Sequence, residues 1–265
     1  TVLWAFIKAN VEPDFVILTD PQFWAYKHIA NLQAKNSFLI TEISVYSPVF
    51  GFECKNIFLC NSQFPIGNYF ERKLDIFDRL GDLGTGGSVA SSAWNFAKFC
   101  GAKEIFTAGL DFSFPEKQTH IKGSFSEQTF HTVSNKVNSA EYQTTKILFS
   151  ADTSYENSFD ETKVLTDSRM KMFAWWFESR IANFPEIKNF SLCKKSLRIP
   201  GFSYIPMEDF LTKSDIEEKR MKFLSLAEKK QDKKNCLDIN KIEEINKNFP
   251  NQEFLQEFPF LKDFL

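Results

Sequence analysis

The sequence predicts an α/β fold: a Rossmann-like, mostly parallel sheet with helices on both faces, followed by a helical C-terminal region. Three observations predict it. Short apolar runs at 15–18, 37–41, 56–60 and 104–108 recur between stretches of helical period, the alternation of parallel strands with crossover helices. The segment from Gly84 to Phe112 spells loop, helix, turn, strand and loop in one pass. After Pro206 the apolar runs stop and Lys/Glu pairs at helical spacing take over.

The elements follow in order. Leu3, Phe6 and Ile7 mark a short helix over 2–9, and Phe15–Leu18 a buried strand after the Glu12–Pro13 turn. Pro21 stands at a helix start, where its missing N–H costs nothing, and an amphipathic helix is expected over 22–32. Strands at Ser37–Thr41 and Asn56–Cys60 precede a helix over 68–80. Val89, Ala93, Phe96, Ala97 and Cys100 then form a helical stripe over 88–100 that Gly101 ends. Ile105–Ala108 is the next strand. From Phe112 to Asp160 the chain is polar and without a long apolar period. Such a stretch in a compact domain is functional or mobile, and it predicts a lid with a short helix around 134–149. Thr166 or Asp167 caps a helix running to Ala182, and Ile187–Leu192 is a further strand. Helices at 214–231 and 238–248 and an apolar face from Phe249 to Leu265 complete the chain. The domain reading is therefore 1–211 for the Rossmann-like unit, with the lid inserted at about 112–160, and 212–265 for the helical region.

Composition narrows the function. A chain of 265 residues that is 43% hydrophobic fills one large domain with a small appendage. The net charge of −2 gives no basic field for nucleic acid, so an anionic ligand must be held by local groups. Cys54, Cys60, Cys100, Cys193 and Cys236 show no C-x-x-C spacing, the pattern of reduced, buried thiols in a cytoplasmic protein. No run reaches the length of a membrane span. The chain opens on Thr1 and not Met, so it is expected to begin inside a longer protein.

The candidate site gathers at strand ends. Open α/β sheets bind ligands at the carboxyl ends of their strands. Thr85, Gly86, Gly87 and Ser88 open a helix whose unpaired N–H groups and partial positive charge suit a phosphate. A tight turn with Ser88 as a simple cap explains the same residues. The spacing is neither a Walker loop nor the dinucleotide fingerprint. Asp20 and Asp111 each follow a strand; a nucleotide contact and a cap or turn are the two readings of both. Of the three histidines, His28 reads as structural, while His120 and His131 lie in the polar stretch. A histidine suits the general base for an acceptor hydroxyl because its pKa is near neutrality. Arg169 is a candidate for a donor carboxylate or phosphate. Trp175, Trp176 and Phe177 read as core on a helix. No carboxylate pair or D-x-D motif stands at metal-binding spacing, so no metal and no cofactor are expected.

The ordered set Thr85-Gly-Gly-Ser-Val-Ala, Gly101-Ala-Lys-Glu-Ile and Ala108-Gly-Leu-Asp-Phe resembles the core signature of the bacterial motility accessory factors. Pro13-Asp-Phe-Val-Ile-Leu-Thr-Asp-Pro21, Thr119-His120, Val164–Arg169 through Glu178 and Pro200–Pro206 extend the resemblance over roughly 1–211. Those proteins are implicated in putting sialic-acid-like sugars on flagellin. Their central domain is classed with archaeal 6-hydroxymethylpterin pyrophosphokinases, and the order of elements is also similar to bacterial sialyltransferases. The resemblance implies a metal-independent glycosyltransferase that moves a nonulosonic acid from a CMP-sugar to Ser or Thr of flagellin. Gly86, Gly87 and Ser88 would hold the phosphate, with Thr85 and Asp20 beside the nucleotide and Gly109, Leu110 and Asp111 on the cytidine side. His120 would be the base, matching a Thr-His of the motility accessory factors, with His131 in reserve. Asp20 stands where the similar sialyltransferases carry Asn. Those families also carry, ahead of this region, a strand and a Gly-x-Gly-Pro-Ser-like loop. A pterin pyrophosphokinase using ATP and Mg²⁺ is the rival enzyme. A catalytically silent module that docks a partner through the charged C-terminal helices is the other alternative.

Overall fold

A computed structural model describes residues 2–84, 86–213, 217–228 and 239–262. It contains parallel sheets flanked by helices and a helical C-terminal region. Helix α1 (Leu3–Lys8) leads into β1 (Phe15–Ile17), followed by α2 (Phe23–Tyr26), β2 (Gln33–Thr41) and β3 (Glu53–Leu59). These strands form one sheet in the order β1-β2-β3, parallel throughout. Helix α3 (Pro65–Lys73) and helix α4 (Val89–Phe99) then bring the chain to β4 (Glu104–Thr107). Helices α5 (Phe125–Val133) and α6 (Ala140–Leu148) precede β5 (Thr153–Asn157) and β6 (Lys163–Asp167), which pair as an antiparallel hairpin. Helix α7 (Ser168–Asn183) leads to β7 (Lys188–Ser191) and β8 (Phe202–Tyr204). The second sheet runs β4-β7-β8, again parallel.

Among the described residues the two parallel sheets share no strand pairing, and β1 and β4 are edges. That explains why Phe15, Val16 and Ile17 are half-buried where the sequence predicts a buried strand. Helix α4 joins the two sheets through opposite faces. Its Phe96 packs on Phe15 with ring centroids 5.1 Å apart. Its Trp94, 3% exposed, donates to Asn189 Oδ1 of β7 at 2.7 Å. Helix α7 covers the second sheet with Ala174, Phe177 and Ile181, all buried.

Several expected boundaries move for local reasons. Helix α2 stops at Tyr26 and not at 32, because the chain goes on in turns to Asn31, which adopts φ 60°. Helix α3 starts earlier than expected, with Pro65 in its first turn, and ends before Asp75 at φ 55°. Ser88 and Asp167 cap α4 and α7 as read from the sequence, accepting from the N–H groups of Ala90 and Met170. The predicted lid holds more order than one short helix: α5, α6 and strand β5 lie within 112–160. Cys100 is exposed, against the expectation of a buried thiol, while Cys60 is buried; Cys236 lies outside the described residues.

The C-terminal region forms α8 (Met207–Leu211), α9 (Glu217–Glu228), α10 (Ile239–Asn248) and α11 (Gln252–Glu257). Residues 214–216 and 229–231 of the expected first helix, and Phe264 and Leu265, lie outside the described residues. Helix α11 docks on α3: Phe254 (1% exposed) and Phe258 pack against Tyr69 and Phe70. Ion pairs flank this contact, Arg72–Glu257 at 2.5 Å and Lys73–Glu253 at 2.6 Å. Helix α9 pairs with the sheet end through Arg220–Asp14 at 2.6 Å and through Lys55–Glu228. These charges are turned onto the chain's own body. Among the described residues no helix is long and apolar enough to cross a membrane.

Candidate functional site

A cavity of about 680 Å³ runs along the free edge of β1 and past the carboxyl end of that strand. Asp20, Trp24 and His28 line one part of it, and Gly86, Gly87 and Ser88 another. It lies at the carboxyl end of β1, one of the strand ends at which the sequence sought a ligand, but not at that of β4.

The glycine turn is fixed from several sides. Asp82 Oδ1 accepts from Gly84 N–H at 2.6 Å and from Gln63 Nε2 at 3.0 Å. Asn95 Nδ2 donates to the Leu83 carbonyl at 2.7 Å. Gly87 adopts φ 72°, a left-handed conformation that glycine tolerates, and Phe173 lies 3.0 Å from where a side chain would begin. A side chain on Gly86 would meet Ser91 and Trp176. Close packing beneath the turn therefore demands both glycines, whereas the sequence argument stressed approach of a ligand. Among the described residues no acceptor meets the backbone N–H groups of Gly87, Ser88 or Val89. These groups open an eleven-residue helix on the cavity side, so the helix dipole and free donors coincide. Thr85 lies outside the described residues.

Asp20 follows β1, and its Oδ1 accepts from Gln22 N–H at 2.9 Å. It thus shapes the entry to α2 while lining the cavity. Two buried carboxyls, which sequence reasoning missed, support the neighbouring loop. Glu42 follows β2, is fully buried, and its Oε2 accepts from Gln63 N–H at 3.0 Å. Glu71, also fully buried, accepts from Ser62 N–H at 2.7 Å. Burial raises both carboxyls above their ordinary range, against the hydrogen bonds that lower them. The strand-end rule that singled out Asp20 and Asp111 also picks out Glu42, directly after Thr41.

His28, expected to be structural, is a wall of the cavity. Its Nδ1 is buried without a hydrogen-bond partner. Burial lowers its pKa to about 4, and the charge of His120 acts in the same direction. The ring stands edge-on to Phe125 of α5 at 5.7 Å. His120 is not part of the cavity wall: its Nδ1 lies 3.1 Å from Thr119 Oγ1 and its ring 5.8 Å from Phe130 of α5. Burial lowers its pKa as well. Helix α5 therefore carries two phenylalanines against two histidines, His28 from after α2 and His120 from the 112–160 segment. The sequence signal for His28 was its place four residues after Trp24, on the same side of a helix.

The remaining sequence-predicted residues lie elsewhere. Gly109, Leu110 and Asp111 follow β4 and are not part of the cavity wall. Gly109 has φ 72° with open space around it. Asp111 is half-buried, its Oδ1 has no partner, and burial raises its carboxyl despite a hydrogen bond from the Cys193 thiol. Arg169 donates to the fully buried Asp167 at 2.7 Å and to Ser150 Oγ at 3.3 Å, outside the cavity wall. His131 sits on α5, and its carbonyl accepts from Ser134 Oγ at 2.8 Å. Trp176 packs against Trp94 and Phe177 is core, but Trp175 is 68% exposed, since it points off the outer side of α7. Among the described residues no group of three or more His, Cys, Asp or Glu side chains is placed to hold a metal ion.

The fold and crevice define a Rossmann-like α/β domain, and residues 1–117 match the family model described as 6-hydroxymethylpterin diphosphokinase MptE-like. Together with a solved structure, this match supports the resemblance to a motility accessory factor-like domain. The structure of MAf glycosyltransferase from Magnetospirillum magneticum AMB-1 matches 85% of this chain with a TM-score of 0.61 at 14% identity, which shows a shared fold. The chain is also 32% identical over 234 residues to an uncharacterized protein of Treponema pallidum (strain Nichols), covering 77% of this chain. It spans 59% of the length of that relative and 31% of the length of the MAf chain.

Proposed function

We propose that this chain forms the nucleotide-sugar site of a glycosyltransferase that moves a nonulosonic acid from a CMP-sugar to a Ser or Thr hydroxyl of flagellin. The observation that carries the reading is the row of free N–H groups at Gly87, Ser88 and Val89, facing a cavity at the strand ends. Three donors at a helix start suit the phosphate of CMP. The MAf fold and the sequence signature support the sugar-transfer part.

In this reading Gly86, Gly87 and Ser88 seat the phosphate and Asp20 borders the nucleotide. Gly109, Leu110 and Asp111 approach from the second sheet on the cytidine side, and Arg169 stays a candidate for the donor carboxylate. His120 is the general base. With Nδ1–H donated to Thr119 Oγ1, its Nε2 is left with a lone pair for the acceptor proton. Burial favours the neutral ring, the form that accepts a proton. CMP leaves as a phosphate anion stabilised by the helix start, so the reaction is proposed to need no metal.

The match to an MptE-like diphosphokinase model favours a second reading, pyrophosphoryl transfer from ATP to a pterin. Titration calorimetry separates the two. CMP binding that survives chelator supports glycosyl transfer. Binding of ATP only with Mg²⁺, and none of CMP, supports the kinase. Transfer itself is read as a mass increase of intact flagellin incubated with the full-length protein and a CMP-nonulosonate.

A further inference from the structure

Trp24 is 63% exposed, and it lines the same cavity as the start of α4. Trp175 is equally exposed at 68% but lines no part of that cavity. Exposure alone therefore does not single out Trp24; its position does. Its ring is also fixed in place. Phe23 meets it edge-on at 5.4 Å, Tyr46 meets Phe23 at 5.5 Å and 87°, and Tyr26 meets Tyr46 at 5.5 Å. Lys27 lies over the Phe23 ring at 5.3 Å. Ordering a large side chain in water costs entropy and leaves apolar area wet. A chain of aromatic contacts, edge-on at Phe23, that ends on an exposed indole at a cavity wall presents a flat apolar face to a ligand.

We propose that Trp24 is the stacking platform for the base of the nucleotide whose phosphate sits at the start of α4. This rests on the nucleotide reading above and changes it in one respect. The planar end of the ligand lies on the β1–α2 side, on a ring that lines the cavity, and not only against the Gly109–Asp111 loop, which does not. A nucleobase offers a π-face to an indole whatever its edge groups, so the contact supplies affinity and Asp20 or the β4 loop supplies selectivity.

The test is titration of the full chain with CMP, and with ribose 5-phosphate by displacement of CMP. Trp24→Ala is expected to weaken CMP about 5- to 150-fold and to leave ribose 5-phosphate unchanged, because only CMP has a base to stack. Trp24→Phe is expected to keep most of the CMP affinity but to lose the CMP-induced quench of tryptophan fluorescence. Both variants should unfold at the wild-type temperature, since the ring is exposed. Equal weakening of both ligands, or an unchanged CMP affinity in Trp24→Ala, overturns the stacking role while leaving the phosphate site intact. Wild-type protein that binds neither ligand overturns the nucleotide reading and this one with it.

Discussion

At the residue scale, the glycine turn and the half-buried His28 give the sharpest outcomes. Gly87→Val forces a branched side chain into a left-handed backbone and against Phe173. It is expected to lower stability and abolish CMP binding together, by urea unfolding and calorimetry on one preparation. Ser88→Ala removes one cap acceptor from Ala90 N–H and should cost about 1 kcal/mol with a modest loss of affinity. Equal damage from both would deny the turn its special geometry. His28 predicts a pH effect. Its folded pKa, about 4, lies below the ordinary value of 6.5. Below 6.5 the unfolded chain takes up a proton that the folded chain refuses, so stability falls as pH drops from 6.5 towards 4. Glu42 and Glu71 are raised and act in the opposite sense, gaining stability as pH falls. His28→Gln should therefore flatten the loss between pH 7 and pH 5 relative to wild type. An unchanged slope would remove His28 from it. Gly87, Ser88 and Asp20 were legible because caps and strand ends depend on short-range chemistry. His28 was only hinted at by its spacing from Trp24, because local spacing is silent about the phenylalanine that α5 places opposite it.

At the element scale, α5 links the 112–160 segment to the rest of the chain. Its Phe125 meets His28 and its Phe130 meets His120. The sequence marked 112–160 as a lid from its polarity, but α5 and β5 escaped notice. Both carry short apolar patterns, and hairpin pairing between β5 and β6 is a tertiary matter that Thr153–Asn157 does not announce. The long, strongly periodic elements α4 and α7 were legible to within a residue or two, caps included. The lid also separates two roles that the proposal assigns. Nucleotide binding uses the α4 start, while His120 belongs to the lid. His120→Ala in the full-length protein should leave CMP affinity unchanged and lower turnover roughly 10²- to 10⁴-fold. The wild-type rate should fall at a lower pH than an ordinary histidine would give, because burial depresses the pKa and only the neutral ring accepts a proton. Flagellin modified normally by His120→Ala, by intact mass, would take His120 out of the mechanism. A loss in His131→Ala instead would transfer the role.

At the scale of the whole molecule, the sequence separates an α/β unit at 1–211 from a helical region at 212–265 on a change of pattern and composition. Packing ties the two parts together. Tyr69 and Phe70 of α3 share one apolar cluster with Phe254 and Phe258, so part of the body's core is supplied from the far end of the chain. That contact was illegible because aromatic clustering across some 180 residues leaves no local pattern; the hydrogen bond from Tyr69 to Asn251 spans 182. The ion pairs beside it are partly exposed, with side chains 34% to 61% accessible, and such pairs contribute little in water. The apolar contact and not the charges should therefore hold α11 in place. Phe254→Ala is expected to cost about 3–5 kcal/mol, the loss from emptying a fully buried phenylalanine site. Glu253→Lys, which reverses the exposed pair with Lys73, should change stability by less than about 1 kcal/mol. A truncation ending at residue 211 should then be less stable than the full chain and expose the Tyr69 surface, read by urea unfolding and dye binding. The reverse ranking, with Glu253→Lys damaging and Phe254→Ala mild, would mean that electrostatics docks the C-terminal helices. In that case raising the salt concentration should release them, because screening weakens exposed charges and leaves apolar burial intact.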